Sequence, residues 1–233
     1  RRSVPVYASG ALMRGYPTDY MAKTAGMLKE QGWRQMKTQM GMNIRPHEEV
    51  ARMRAVRAAI GDDVDLMCDI NQLWSVHQCI DVARRVEDVN LYWLEDPVAH
   101  DDYPGMARVN HELRMPIAAG EYVYGGVPFR HLIEARSIDI VMVDILRSGG
   151  VSGWLKIAHM AEYFNLPVVS HLAPELQVHT VAAVPNGLTV EYMPWSVGLF
   201  REVPVMKKGM IEVPDKPGFG LEFDPDVIKR CSV

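Results

Sequence analysis

Eight short apolar runs recur along the chain, and most of them are followed by a turn and an amphipathic helical pattern. The runs cover residues 4–10, 35–40, 64–70, 91–97, 116–121, 139–145, 166–172 and 188–192. Nearly continuous apolar strands are typical of a parallel sheet covered by helices. Their alternation with helices over short connections gives right-handed βαβ units. The pattern therefore predicts an α/β fold, a TIM-type (β/α)7β barrel.

An open doubly wound sheet is the alternative architecture for such alternation. No GxGxxG sequence follows the first apolar run, which weakens a dinucleotide-binding interpretation. Helix boundaries are marked as expected, with Pro17 near the start of the first helical pattern and Gly32 and Gly61 past the ends of the first two.

Bulk composition excludes several classes of protein. The 233 residues are 48% hydrophobic and 23% charged, which is ordinary for an ordered globular domain, and the net charge of −4 gives no basic footprint for nucleic acid. No apolar run is long enough to span a bilayer or to form a signal peptide. Cys68, Cys79 and Cys231 are odd in number and form no CxxC pair, which argues against a disulfide framework. We expect a cytoplasmic protein with neither nucleic-acid nor membrane partners.

Ionisable residues fall near the ends of seven consecutive strand candidates. They are Lys37, Asp69, Glu95, Glu121, Asp144, His171 and Glu191. In a closed parallel barrel the carboxyl ends of the strands surround one mouth, where the active sites of such enzymes lie. A carboxylate at a strand end often caps the next helix instead, but that explanation fits one position better than a whole series.

Three of these carboxylates predict a metal site. Asp69, Glu95 and Glu121 in one pocket would repel each other strongly unless a cation neutralised them. A set of oxygen ligands without Cys or His suits a hard divalent ion, best Mg²⁺.

The next two positions predict a general base. Asp144 and His171 end neighbouring strands, so a hydrogen bond between the carboxylate and the imidazole is available. Such a bond fixes the imidazole tautomer and raises its basicity. A single His in an apolar strand is more often a packed core residue, but here it lies beside the carboxylate cluster.

Seven motifs follow one another strand by strand: KTQ, CDINQ, WLEDP, AAGE, VDILRSGGVSGW, SHLAPE and VEYMP. As a set they resemble the barrel of the enolase superfamily, mandelate racemase subgroup, from about residue 4 to the C-terminus. The resemblance implies that Asp69, Glu95 and Glu121 bind Mg²⁺ and that Asp144 and His171 are a general acid/base. It also implies that Glu191 hydrogen-bonds a substrate carboxylate oxygen, that Asn71 lies beside the metal, and that the protein is a homo-oligomer.

The chain departs from this family in its domain composition. The usual N-terminal α+β lid is not in the sequence, so we expect residues 1–233 to be the C-terminal barrel domain of a longer protein. Residues from about 205 to 233 resemble the family's segment that returns toward the lid.

A second departure lies in the stretch RQMKTQMG, where Gln39 occupies the place of the second Lys of the subgroup's Lys-x-Lys. An amide is not a base, so His171 would act alone. A single base favours dehydration of an aldonic or aldaric acid to a 2-keto-3-deoxy acid. The alternatives are a racemase or epimerase with another second base, and a ligand-binding barrel without catalysis.

The remaining polar positions receive substrate-binding roles in this prediction. We expect Lys37 to bind the substrate carboxylate, the alternative being a solvated lysine at a strand end. A protonated Glu191 is expected to donate a hydrogen bond to the substrate. Gln39 is expected to bind a substrate hydroxyl and Arg147 a distal hydroxyl or second carboxylate, although helix capping or surface exposure explains Arg147 equally well.

Overall fold

Eight parallel strands alternate with seven helices in the computed structural model of the chain, which describes residues 1–42 and 45–232. The strands are β1 (Ser3–Leu12), β2 (Gln35–Gln39), β3 (Asp65–Asp69), β4 (Trp93–Glu95), β5 (Ile117–Ala119), β6 (Ile140–Asp144), β7 (Val168–His171) and β8 (Val190–Tyr192). The helices between them are α1 (Thr18–Glu30), α2 (Pro46–Ile60), α3 (Val76–Arg84), α4 (Tyr103–Glu112), α5 (Val127–Glu134), α6 (Gly150–Tyr163) and α7 (Pro174–Ala183). The hairpin β9 (Met206–Lys207) and β10 (Met210–Glu212) and the helix α8 (Pro225–Cys231) follow, and short 3-10 helices cover Glu87–Val89 and Val197–Leu199.

The strands pair in chain order. Each of β1 to β6 pairs in parallel with the strand that follows it, and β8 pairs in parallel with β1. Between β7 and the approach to β8, the Val168 N–H donates to the Asn186 carbonyl (2.9 Å) and the Leu188 N–H to the Val168 carbonyl (2.8 Å). The fold is therefore α/β and barrel-like, with the predicted order of elements. The strand order of a doubly wound sheet reverses at one point, so this sequential order excludes that alternative.

Two apolar clusters hold the sheet in place. A small cluster fills the space inside the curled sheet, and a larger one packs the outer strand faces against the helices. The inner cluster consists of Tyr7, Met67, Trp93, Ala118, Ile140, Met142 and Val169. Along β2, Met36 belongs to the outer cluster and the adjacent Lys37 is buried on the opposite face, as the two-residue period of a strand requires.

The fifth strand ends earlier than the sequence predicts. The run 116–121 places Glu121 at the strand end, but β5 stops at Ala119 and Glu121 lies in the following turn. Gly120 makes this turn with a φ of +138°, and a Cβ there would lie 2.3 Å from the Met142 carbonyl oxygen. Only glycine fits this position, and its turn carries Glu121 beyond the sheet.

The C-terminal segment runs along one side of the sheet. Residues Met210, Ile211 and Glu212 of β10 pair with the beginning of β1 in antiparallel register. Further on, the Asp224 N–H donates to the Leu199 carbonyl (2.9 Å) in the loop after β8. The expected return of residues 205–233 toward a lid domain stays a prediction, and Val233 lies outside the described residues.

None of the described helices is long and apolar enough to cross a membrane. All three cysteines are free thiols, Cys68 and Cys79 buried and Cys231 exposed, as the sequence predicts.

Replacing Gly120 with alanine should destabilise the protein. The added Cβ meets the Met142 carbonyl oxygen and the Phe129 ring at 2.3 and 2.5 Å. Strained backbone and overpacking each cost about 1–3 kcal/mol, so we expect a loss of about 2–4 kcal/mol in the free energy of unfolding, measured by urea denaturation.

Gly26→Ala in α1 is the matched control, because a Cβ there has no atom within 4 Å. Alanine in a helix interior should raise the free energy of unfolding by up to about 1 kcal/mol. If Gly120→Ala were as stable as the parent protein, the proposed constraint on the turn would be wrong.

Candidate active site

The structure brings the predicted ionisable residues to one end of the strands. Asp69, Glu95, Asp144 and His171 are the last residues of β3, β4, β6 and β7. Lys37 and Glu191 are the central residues of β2 and β8, and Glu121 follows β5 by two residues. All seven are buried.

Asp69, Glu95 and Glu121 form an acidic triad. One oxygen atom from each carboxylate lies within 4.8 Å of one from each of the others. The neighbouring Asp96 adds a fourth buried carboxylate, whose two oxygens have no hydrogen-bond partner among the described residues. Several carboxylate oxygens in so small a space fit a hard divalent cation such as Mg²⁺.

The pKa values of the acidic groups show the cost of this arrangement. Burial raises the pKa of Glu121 to about 7, and the charges of Asp69 and Glu191 add to the increase while Lys37 opposes it. Burial also raises the pKa of Glu95 and of Asp96 well above the ordinary carboxylate range. A bound cation would favour the ionised forms of these groups and so lower their pKa values.

Lys37 lies inside this carboxylate cluster. Its Nζ is 2.8 Å from Glu191 Oε1 and 3.7 Å from Asp69 Oδ2, and it donates a hydrogen bond to Glu95. Burial alone would lower the pKa of Lys37, but Glu191 and Glu95 outweigh it, and the pKa lies well above its ordinary value. The alternative of a solvated lysine at a strand end is therefore wrong.

Asp144 and His171 form a fixed pair. His171 Nδ1 and Asp144 Oδ2 are 2.7 Å apart, and Asp144 Oδ1 accepts hydrogen bonds from the backbone N–H groups of Leu146 (2.7 Å) and Arg147 (3.0 Å). Burial raises the pKa of Asp144, but the hydrogen bonds from His171 and Arg147 lower it below its ordinary value. An ionised Asp144 holds the proton of neutral His171 on Nδ1.

The other ring nitrogen of His171 faces the acidic triad, with Nε2 3.3 Å from Glu121 Oε2. In the tautomer that Asp144 favours, Nε2 carries the lone pair. The imidazole therefore presents a proton acceptor to the place where the triad could hold a metal.

Glu191 accepts hydrogen bonds on both of its carboxylate oxygens. Its carboxylate accepts hydrogen bonds from Ser9 Oγ (2.7 Å) and from the Leu172 N–H (2.6 Å), and it lies beside Lys37. Burial raises the pKa of Glu191, but the charge of Lys37 and the hydrogen bonds from Lys37 and the Leu172 N–H lower it, and the pKa lies below its ordinary value. In this structure Glu191 is therefore an acceptor, and the expected hydrogen bond from a protonated Glu191 to the substrate stays a prediction.

Two of the three predicted substrate-binding residues, Asn71 and Gln39, lie next to Asp69. The Asn71 N–H donates to Asp69 Oδ1 (2.8 Å), and the side-chain amide nitrogen lies 3.4 Å from Glu121 Oε1. Gln39 is half-buried at the end of β2, in register with Asp69.

Arg147 is held close to the triad by backbone and ring contacts. Its guanidinium donates to the carbonyl oxygen of Glu121 and lies about 6 Å from the ring centres of Tyr122 and Tyr124.

Two residues that contact the site were not predicted from the sequence. Trp93 Nε1 donates to Glu95 Oε2 (2.9 Å), and Arg14 donates to the side-chain oxygen of Asn71. Trp93 was detectable, because it precedes Glu95 by two residues and so shares its strand face. Arg14 lies in the loop after β1, where no periodicity indicates a partner.

Large apolar side chains surround this end of the sheet. They are Leu73, Tyr124, Leu146 and Trp195, on the turns after β3, β5, β6 and β8, and each is more than half exposed. Apolar residues exposed together are typical of surfaces that contact another segment or partner.

Residues 19–227 match the family described as enolase C-terminal domain-like. The chain is 32% identical to 3,6-anhydro-alpha-L-galactonate cycloisomerase of Streptomyces coelicolor, over 99% of this chain and 63% of that protein. It is also 32% identical to L-talarate/galactarate dehydratase of Salmonella typhimurium, over 95% of this chain and 55% of that protein. The chain thus spans between half and two thirds of these relatives.

A crystal structure of L-talarate dehydratase from a Polaromonas species, complexed with Mg and L-glucarate, has the same fold. The TM-score is 0.93 at 34% identity, covering 98% of this chain and 64% of that chain.

Binding of Mg²⁺ to the triad should weaken as the pH falls. Because the pKa of Glu121 is about 7, protons compete with the cation below that pH. We expect the affinity for Mg²⁺, measured by titration calorimetry, to fall about tenfold or more for each pH unit below 7.

Glu121→Gln tests whether the competing proton binds to Glu121. The variant should bind Mg²⁺ more weakly at pH 8 and show a shallower pH dependence than the parent protein. Equal affinities of the parent protein at pH 6 and pH 8 would contradict the proposed competition.

Proposed function

The chain belongs to the enolase superfamily, through its enolase C-terminal domain-like family, and from this premise we propose that it is the catalytic barrel of an acid-sugar dehydratase. The proposed reaction removes the proton α to a carboxylate and expels a β-hydroxyl, giving a 2-keto-3-deoxy acid. We also propose that the eight strands close as a (β/α)7β barrel around the site, and that Asp69, Glu95 and Glu121 hold Mg²⁺.

The observation that carries the proposal is the direction of His171. Asp144 Oδ2 holds Nδ1 at 2.7 Å, while Nε2 points toward the acidic triad, 3.3 Å from Glu121 Oε2. A base on one side of a candidate metal site is the arrangement that proton abstraction beside a carboxylate requires.

Proton removal is assigned to His171. Neutral His171 accepts the α proton on Nε2, and the resulting imidazolium is stabilised by the ionised Asp144. When bound, Mg²⁺ supplies positive charge beside the substrate carboxylate, where negative charge develops as the proton leaves. Lys37 adds a second, buried positive charge to the same region.

Loss of the hydroxyl uses the same imidazole. The C–O bond to the β-hydroxyl breaks as the electron pair of the former C–H bond forms the carbon–carbon double bond. The Nε2 proton of His171 passes to the departing hydroxyl, which leaves as water. Giving up this proton returns His171 to its neutral form without a second base, and the enol product then tautomerises to the 2-keto acid.

The other polar residues receive roles that their contacts support. Lys37 is the candidate for binding the substrate carboxylate, with the ionised Glu191 orienting its ammonium group. Asn71 and Gln39 flank Asp69 and are candidates for binding substrate hydroxyls. Arg147 is a candidate for the distal end of the substrate, beside Tyr122 and Tyr124.

Relatives support this reaction class, since the L-talarate/galactarate dehydratase of Salmonella typhimurium and the Polaromonas enzyme are acid-sugar dehydratases. The activity of the whole protein remains a proposal, because the chain spans less than two thirds of their length. We propose that a lid domain covers the exposed apolar rim of Leu73, Tyr124, Leu146 and Trp195. A cytoplasmic location and a homo-oligomeric state stay predictions.

Isomerisation is the second candidate, favoured by the 32% identity to the Streptomyces coelicolor cycloisomerase. Racemisation with proton exchange on both faces of the substrate normally needs two bases. Gln39 lacks the basicity to be the second, which favours dehydration.

Turnover of aldonate and aldarate libraries in D₂O separates the two reactions. We expect formation of a 2-keto acid in the presence of Mg²⁺, and no epimer of the substrate. His171→Asn should reduce this turnover by about 10²–10⁴-fold, the usual contribution of a general acid/base.

His159→Asn is the control, because His159 is exposed on α6 and contacts Glu162. It should leave turnover unchanged. Deuterium exchange at the α carbon without 2-keto acid formation would overturn dehydration in favour of isomerisation.

A further inference from the structure

The turn directly after His171 has an unusual backbone conformation. Leu172 and Ala173 have φ values of +55° and +43°, in the left-handed region that residues with a Cβ rarely adopt. Two such residues in succession persist only where surrounding contacts hold them. This turn connects His171, the last residue of β7, to α7.

One side chain binds both carbonyl groups at the turn. Gln177 Nε2 donates to the carbonyl oxygen of His171 and to that of Leu172 (3.1 Å). Gln177 is fully buried in α7, six residues after His171. Both hydrogens of its amide group are therefore available to the backbone of the proposed base and its neighbour.

The orientation of the Gln177 amide is fixed by chemistry. Trp154 Nε1 on α6 lies 2.8 Å from Gln177 Oε1. Because an indole N–H is a donor only, the atom that faces it must be the amide oxygen. The amide nitrogen must then face the two carbonyl groups.

The opposite side of the turn is held by the strand next to β7. The Leu172 N–H donates to Glu191 Oε2 (2.6 Å), and the Glu191 N–H donates to Ser170 Oγ (2.8 Å). Gln177 is thus the contact that fixes His171 from the helix side, whereas Glu191 fixes the turn from the sheet side.

We propose that Gln177 is a positioning residue that sets the direction of His171 toward the acidic triad. The inference rests on the proposed function in one respect, that His171 is the base. It adds a residue outside the triad, the dyad and the substrate contacts. A misplacement of about 1 Å in a reacting group is enough to reduce turnover about 100-fold.

Gln177→Met tests this role, because methionine has a similar length but neither donates nor accepts at the amide positions. We expect kcat to fall about 10–100-fold with KM and Mg²⁺ affinity nearly unchanged. The NMR resonance of the His171 Nδ1 proton, assigned by its loss in His171→Asn, should shift or broaden in Gln177→Met.

Thr180→Val is the matched control on the same helix. Thr180 is also buried, and its hydroxyl donates to the Gln177 backbone carbonyl (3.0 Å). This variant should lose stability without moving the imidazole resonance or kcat. Trp154→Phe, which frees the Gln177 amide but keeps its donors, should give an intermediate change and serves if Gln177→Met does not fold.

An unchanged imidazole resonance and kcat in folded Gln177→Met or Trp154→Phe would overturn the inference. The NMR measurement needs no substrate, so it separates this inference from the proposed function. If the parent protein turned over no acid sugar while the resonance still depended on Gln177, the proposed reaction would fail and the positioning role would stand.

Discussion

Electrostatic repulsion among buried carboxylates dominates the carboxyl end of the strands. Asp69, Glu95 and Glu191 form ion pairs with the buried ammonium group of Lys37, and Asp96 and Glu121 also interact with its charge. A buried charge is costly unless it is paired or neutralised. Each pairing contact that the chain supplies, from Lys37, Ser9, Trp93 and the backbone, lowers part of this cost. The excess negative charge that remains is what makes the site suited to a divalent cation.

Strand register places a hydrogen-bonded base beside this cluster of charges. Asp144 and His171 are paired neighbours at the ends of β6 and β7, so their hydrogen bond follows from the sheet itself. The backbone N–H groups after β6 keep Asp144 ionised, and the turn after β7 sets the imidazole. Because the groups lie on rigid strands, the position of Nε2 does not depend on a mobile loop. These groups lie at the carboxyl end of the sheet, whereas the β9–β10 hairpin pairs with the beginning of β1.

The sequence was sufficient for the order of elements, since each strand–helix unit repeats the same apolar pattern. It was also sufficient to place Asp69, Glu95, Asp144 and His171 at strand ends, because parallel strands put equivalent positions side by side. It failed where a contact depends on the three-dimensional path of a turn. The conformation of Gly120 moves Glu121 beyond β5.

The protonation of Glu191 was equally hidden from sequence. It depends on donors from Ser9 and Leu172. Both residues are far from Glu191 in the sequence and come close to it only when the sheet forms. The contact of Gln177 with His171 likewise requires the left-handed turn between β7 and α7, which no local pattern indicates. Trp93 is the exception among the missed residues, since its spacing from Glu95 alone was informative.

We propose that Asp69, Glu95 and Glu121 form a cation site in which the metal offsets the repulsion between the carboxylates. The most direct measurement is the melting temperature of metal-depleted protein with and without saturating Mg²⁺, compared with the triple variant Asp69→Asn, Glu95→Gln and Glu121→Gln. At 100 times the dissociation constant, Mg²⁺ should stabilise the parent protein by about 2.7 kcal/mol, or roughly 5–10 °C. The triple variant should melt above the metal-depleted parent and should not respond to Mg²⁺. An unchanged melting temperature of the parent protein in Mg²⁺ would show that the triad is not a cation site.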